Sequence, residues 1–294
     1  MRLRGALSHL LAERPGPLRL IGVHDALSAR LAERAGARAL WISGLCIAAS
    51  KGLPDNESVT YETLLRRTAD IRRGSGLPLL VDGNTGFGGE QVIGHVVQEL
   101  ELRGAAGISI EDKAFPRRNS FDRDADRPES LEHPEIVAAR LRQACLARRD
   151  PDFLIVARTE GLIAGETPPE VRERGKRYVE AGADALIVHS KSGLPDEVID
   201  FAREWPLRDC PLIVIPTTYP QLSFTRADQA GISGVICANQ ALRAAHRATD
   251  EHIRQLLKAD RLCDAEAGSP LAPMPELLDM VESFGSVRPG SAST

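Results

Sequence analysis

Eight short apolar runs recur along the chain, each followed by a polar loop and then a longer amphipathic segment. They read "LRLIGVHD", "ARALWISG", "LPLLVDGN", "AAGISIED", "FLIVARTE", "ADALIVHS", "PLIVIPTT" and "SGVICANQ". Each is nearly continuous in apolar or small residues, often β-branched, without the alternation of a half-wet sheet. A strand buried on both faces of a parallel sheet reads this way. Helix-like segments stand between the runs, among them "ALSARLAERAGA", "EQVIGHVVQELELRGAA" and "PPEVRERGKRYVEAGADA". Three of them end at a glycine before the next run (Gly36, Gly104 and Gly182), where a helix C-cap belongs.

Strands alternating with helices predict a parallel sheet. Eight such units match a closed (β/α)8 TIM barrel, whose usual size is ~250 residues. The alternative is an open doubly wound sheet. That fold would place G-x-G-x-x-G after the first strand, where this chain has "GVHDALSA". No linker interrupts residues 18–258, so residues 1–294 are expected to form one domain. A C-terminal helical extension from residue 259 would include "PELLDMVESF", and residues 287–294 are expected to be disordered. The start, "MRLRGALSHLLAERPG", carries charge inside its apolar pattern and predicts a short helix stopped at Pro15 rather than a signal peptide.

Composition narrows the classes. With 294 residues, 43% of them hydrophobic, the chain can bury a sizeable core. A net charge of −4 gives no sign of a nucleic-acid partner, and no run approaches the ~20 apolar residues of a membrane span. Five scattered cysteines fit neither a disulfide framework nor a thiolate zinc site, and predict a reducing, cytoplasmic setting.

In a TIM barrel the chemistry sits at the C-terminal ends of the strands. Those positions hold Asp25, Ser43 with Gly44, Asp82 with Asn84, and Glu111 with Asp112 and Lys113. The later strands end at Arg158 and Glu160, His189, Thr217 and Thr218, and Asn239. Asp82, Glu111 and Glu160 bring carboxylates from consecutive strands, and no thiolate accompanies them. Oxygen ligands of this kind suit a hard cation, Mg²⁺ or Mn²⁺. Arg158 and His189 would then hold an anionic group, so a small, multiply anionic acid is the expected substrate. Trp41 either walls the pocket or fills the core, and His24 is read as a core histidine.

Five segments, "WISGLCIAASKGLPDNES", "VDGNTGFGG", "EDKAFPRRNSF", "VARTEGLIAG" and "VHSKSG", resemble the isocitrate lyase/phosphoenolpyruvate mutase superfamily. The similarity runs from about Val23 to the helix after Asn239 and is strongest to the phosphomutase branch. Its most specific element is Glu111-Asp112-Lys113 followed by Asn119 and Ser120. Lyase branches carry a catalytic cysteine in this loop; "FPRRNSF" has none.

The resemblance implies interconversion of phosphoenolpyruvate and phosphonopyruvate. Phosphonopyruvate hydrolysis, or a non-catalytic barrel that binds a 2-oxo acid, is the alternative. It implies Asp82 as the direct Mg²⁺ ligand, with Glu111 and Asn84 reaching the ion through water. Ser43, Gly44 and Leu45 would clasp the carboxylate end beside Trp41, and Arg158, His189 and Glu160 would meet the rest of the substrate. Asp55 corresponds to an essential aspartate, and Arg117, Asn119 and Ser120 to a gating loop. Two positions depart from the family pattern. Asn84 stands where a carboxylate is usual, and Arg117 where a lysine is usual. Tetramers built from dimers that exchange the last barrel helix are also implied, with "NQALRAAHRATDEHIRQLLKAD" as the candidate.

Overall fold

The computed structural model describes residues 3–13, 15–120, 130–267 and 270–284. The expected disorder of residues 287–294 lies outside them. Every apolar run becomes a strand: β1 Leu18–Val23, β2 Ala39–Ile42, β3 Leu79–Asp82, β4 Gly107–Glu111, β5 Leu154–Thr159, β6 Ala185–Val188, β7 Leu212–Val214 and β8 Ile232–Cys237. All pair in parallel in chain order, and β8 returns to β1 with Leu18 opposite Gly234, closing a TIM barrel. The open sheet is excluded.

Two apolar shells explain why the runs lack alternation. Leu20, Trp41, Leu80, Val156, Ile187, Ile213 and Ile236 fill the barrel interior, joined from below by Leu7 and Leu11 of the N-terminal helix Leu3–Ala12. The residues alternating with them, such as Leu40, Val81, Ile108, Ile155 and Val188, pack outward against the helices. Water reaches neither face, so both must be apolar.

The three glycine stops behave as expected. Gly36, Gly104 and Gly182 take φ of +88°, +76° and +106°, the left-handed backbone that ends a helix without a Cβ clash. Strand seven is shorter than its apolar run. Pro216 has no N–H to continue the ladder, and the Thr217 N–H turns back to the Ile215 carbonyl at 2.9 Å. Asp25 is a helix cap and not a site group. Its carboxylate accepts the Ser28 N–H at 2.7 Å and starts the helix Ala26–Arg34.

Candidate active site

At the C-terminal mouth of the barrel, β2, β3, β5, β6, β7 and β8 and two loops enclose one cavity. Trp41 from β2 is fully buried, belongs to the interior core and also lines this cavity, so both readings of it hold. Ser43 and Leu45 line it beside Trp41, Asp82 from β3, Arg158 from β5 and His189 from β6. Asp55, Arg117, Asn119 and Ser120 close it from above. Thr217 and Asn239, noted in the sequence only as strand-end polar groups, complete the wall. Gly44, Asn84, Glu111 and Glu160 stand behind that wall.

Arg158 is the hub. Its Nε donates to Glu160 Oε1 at 2.6 Å, and its Nη1 lies 3.3 Å from Glu111 Oε2 and 3.9 Å from Asp82 Oδ1. Burial pulls its guanidinium down, but Glu160, Glu111 and Asp82 more than reverse this and hold it above its ordinary range. Glu160, expected on the substrate, is fully buried behind Arg158 and His189. Burial alone would raise its carboxyl, yet Arg158 and His189 hold it well below the usual range. Its Oε1 lies 2.9 Å from His189 Nδ1 and its Oε2 accepts the Ser120 hydroxyl at 2.7 Å. Glu160 therefore orients three groups that line the cavity.

The loop after β4 is pinched at its base. Lys113 bridges Leu131, Ala114 N–H donates to Ser130, and Glu132 N–H donates to Asp112. From this base the loop reaches over the mouth. Arg117 Nη1 donates to Asp55 Oδ1 at 3.0 Å while its Nε donates to Glu111, and Asn119 Nδ2 donates to Asp55 Oδ2 at 2.5 Å. Lys113 is buried and donates to Ser120 Oγ at 2.9 Å. Phe121 and the residues to 129 lie outside the described structure.

Asp112 has a role that its sequence position alone did not reveal. It accepts the Glu160 N–H at 2.8 Å, the Thr159 hydroxyl at 2.9 Å and the Tyr178 hydroxyl at 2.9 Å. It is a strut that fixes the end of β5, and with it Arg158 and Glu160. Burial pushes its carboxyl up to about 6.

The acid corner fits a hard cation. Asp82 Oδ2 accepts the Gly44 N–H at 3.3 Å, and a Cβ built on Gly44 would lie 3.3 Å from both Asp82 Oδ2 and Asn84 Oδ1. Any larger side chain there would press on both oxygens. Among the described residues no donor reaches Asn84 Oδ1 or hydrogen-bonds Glu111 Oε2, though both are buried. Asn84 has φ +47°, a conformation that asparagine tolerates better than most side chains. The described residues hold no group of three or more His, Cys, Asp or Glu side chains placed as a metal cluster. Asp82 could hold such an ion directly, with Asn84 Oδ1 and Glu111 close by. Mg²⁺, which keeps several waters, needs no more. Burial, opposed by Arg158 and abetted by Glu111, pushes the Asp82 carboxyl up to about 6.

The phosphoenolpyruvate phosphomutase family model matches residues 7–257 of this chain. The phosphoenolpyruvate phosphomutase of Streptomyces hygroscopicus is 39% identical over 258 residues, 87% of this chain and 80% of that one. The chain belongs to the phosphoenolpyruvate phosphomutase family. Among solved structures, the phosphoenolpyruvate phosphomutase of Streptomyces platensis subsp. rosaceus superposes with a TM-score of 0.90 at 38% identity, covering 96% of this chain and 97% of that one. A phosphonopyruvate hydrolase in complex with oxalate and Mg²⁺ superposes with a TM-score of 0.88 at 33% identity, covering 97% of both chains.

Within this phosphomutase-family barrel, the motif positions that the resemblance pointed to gather at one mouth. They divide by depth. Trp41, Ser43, Leu45, Asp55, Asp82, Arg117, Asn119, Ser120, Arg158 and His189 face the cavity. His24 does not line it, and Glu111 and Glu160 serve as counter-charges to the arginines that do.

Proposed function

We propose that the protein interconverts phosphoenolpyruvate and phosphonopyruvate. The observation that carries this reading is the latch formed by Arg117 and Asn119 on Asp55, above Arg158 and His189. It brings a cation and an amide over a buried acid corner, and the described loop, Ala114 to Ser120, contains no thiol for C–C cleavage.

The side chains divide the work. Ser43 Oγ accepts the Cys46 N–H at 3.3 Å, which leaves its hydroxyl proton for a substrate carboxylate oxygen. Arg158, His189, Arg117 and Asn119 surround the group that moves. In the forward direction the P–O bond of the enol ester breaks and phosphorus joins C3, so no atom is gained or lost. A phosphoryl group passes through a loose, metaphosphate-like state, and the protein mainly positions and neutralises it. Arg117 and Ser120, both buried, exclude the water that would divert phosphorus to phosphate. Mg²⁺ (or Mn²⁺), held by Asp82 with Asn84 and Glu111 nearby, supplies positive charge against the developing enolate oxygen when bound.

Phosphonopyruvate added with Mg²⁺ should give a phosphoenolpyruvate signal in ³¹P NMR. A phosphate signal would show a hydrolase, and an unchanged spectrum a binding protein. In the same assay Asn84→Asp should lower the half-saturating Mg²⁺ concentration by about tenfold, because it restores a charge beside the cradle. A concentration unchanged or raised would refute the role given to Asn84.

The helix Gln240–Leu256 is amphipathic yet buries none of its residues within the chain, leaving Ile253 49% and Leu257 nearby 83% exposed. An open groove runs beside β1 along Leu18, Ile21 and Ala32 to Ala37, where an eighth barrel helix would seat. This supports an assembly in which two copies exchange that helix, pairs of such dimers making tetramers. Sedimentation of an Ile253→Glu variant should then show monomers, and an unaltered oligomer would refute the exchange. The chain is read as one working domain. No helix of the described residues is long and apolar enough to cross a membrane. Its five unpaired cysteines support a reducing cytoplasm. The P–C bond makes phosphonopyruvate the uphill partner, so a phosphonate-forming role requires a reaction, such as a decarboxylation, that drains it.

A further inference from the structure

Asparagine is among the best helix N-caps, its amide oxygen accepting a backbone N–H of the first turn. Asn239 holds that place before the helix Gln240–Leu256 and makes no such bond. The residue is 5% exposed and lines the cavity, and its Oδ1 has no donor among the described residues. A local preference has been forgone, and a buried acceptor left bare is costly. A group of this kind calls for a partner, such as water, an ion or a ligand.

Thr217 repeats the pattern on the neighbouring strand end. Thr218 gives its hydroxyl to the Ser190 carbonyl at 3.1 Å, so the fold consumes it. Thr217 Oγ1 is buried, has no partner among the described residues and lines the same cavity. In the closed order of strands, β7 and β8 stand across from β3 and β4, which carry Asp82 and Glu111. Two neutral groups thus face the acid corner from the opposite wall, next to His189 on β6.

We infer that Thr217 and Asn239 form a neutral ledge that receives the tetrahedral oxoanion on C3 of the substrate and sets the cavity's preference for it. This rests on the function proposed above. A short acid held by its carboxylate end at Ser43, beside the acid corner, points C3 toward this wall. Arg158 and His189 approach the oxoanion from β5 and β6 and leave its far oxygens to be met from β7 and β8. A hydroxyl can donate or accept there, and a carboxamide can turn either its amino group or its oxygen to the ligand. Neutral groups orient the oxoanion without adding fixed charge, which suits a group that must leave one atom and join another.

The test titrates two inert probes into the Mg²⁺-supplemented protein: oxalate, which has the acid end only, and 3-sulfopyruvate, which adds a sulfonate on C3. Thr217→Val and Asn239→Ala should each weaken 3-sulfopyruvate roughly tenfold. Oxalate affinity and the thermal midpoint should hold, because neither side chain bonds to the fold. Thr217→Ser should keep wild-type affinity. Equal losses for both probes, or no loss for either, would overturn the ledge, as would wild-type protein that fails to bind 3-sulfopyruvate. Turnover of phosphonopyruvate by the wild type reports separately: protein that binds 3-sulfopyruvate but leaves phosphonopyruvate unchanged is no mutase, while the ledge stands.

Discussion

An Arg158→Ala variant should lose about a thousandfold in phosphonopyruvate turnover and unfold roughly 5–10 °C below the wild type. The two losses have one cause. Arg158 neutralises Glu160 at 2.6 Å and Glu111 at 3.3 Å, and Asp82 lies 3.9 Å away, all of them buried. Removing it leaves like charges together in a low-dielectric pocket, and stranding a buried charge in this way costs about 3–5 kcal/mol. It also removes the fork that, on the proposed reading, faces the transferring group. Arg158→Lys separates the effects. A lysine restores a charge but not the planar geometry shared by Glu160 and the ligand, so the melting point should recover more than the rate. Thermal unfolding and a ³¹P time course on all three proteins decide it. A variant that keeps wild-type stability and rate would show that Arg158 is not the hub.

Asp82→Asn should act in the opposite sense on stability. The side chain keeps its shape but sheds a charge that burial disfavours, so the melting point should hold or rise. Cation binding, measured by calorimetry with Mg²⁺ or by the paramagnetic signal of Mn²⁺, should weaken at least about a hundredfold, and turnover should vanish with it. In the wild type the same carboxyl gives a pH signature. Its folded value, about 6, lies above the ordinary 3.8, so the folded protein holds that proton more tightly than the unfolded chain. This contribution to stability is full below about 3.8 and lost as the pH rises through about 6. Cation affinity runs the other way, falling about tenfold per pH unit below about 6, because proton and cation compete for one carboxylate. Tight binding by Asp82→Asn, or an affinity indifferent to pH between 4 and 6, would place the cation elsewhere.

The barrel was legible because burial on both faces writes an apolar run for each strand, and because glycine marks a left-handed stop at Gly36, Gly104 and Gly182. The site was legible as far as strand ends go: polar residues after an apolar run locate the mouth. Depth was not legible. Glu160 and Arg158 are two residues apart on one strand end, yet one lines the cavity and the other stands behind it, a distinction set by packing against His189 and Ser120. Asp112 was visible within a motif, but its task depends on Tyr178, distant in sequence. Asp25 misled because a cap and a catalytic carboxylate occupy the same place after a strand. Thr217 and Asn239 were visible only as polar strand ends, since threonine and asparagine end many strands; their unspent hydrogen bonds set them apart within the cavity wall.

The latch also bears on the sequence of encounters. Asp55, Asp82, Glu111 and Glu160 stand against Arg117, Arg158 and Lys113, so at and behind the mouth four acids meet three cations. A divalent ion held at Asp82 would reverse that balance, so the organic acid should bind more tightly once the ion is in place.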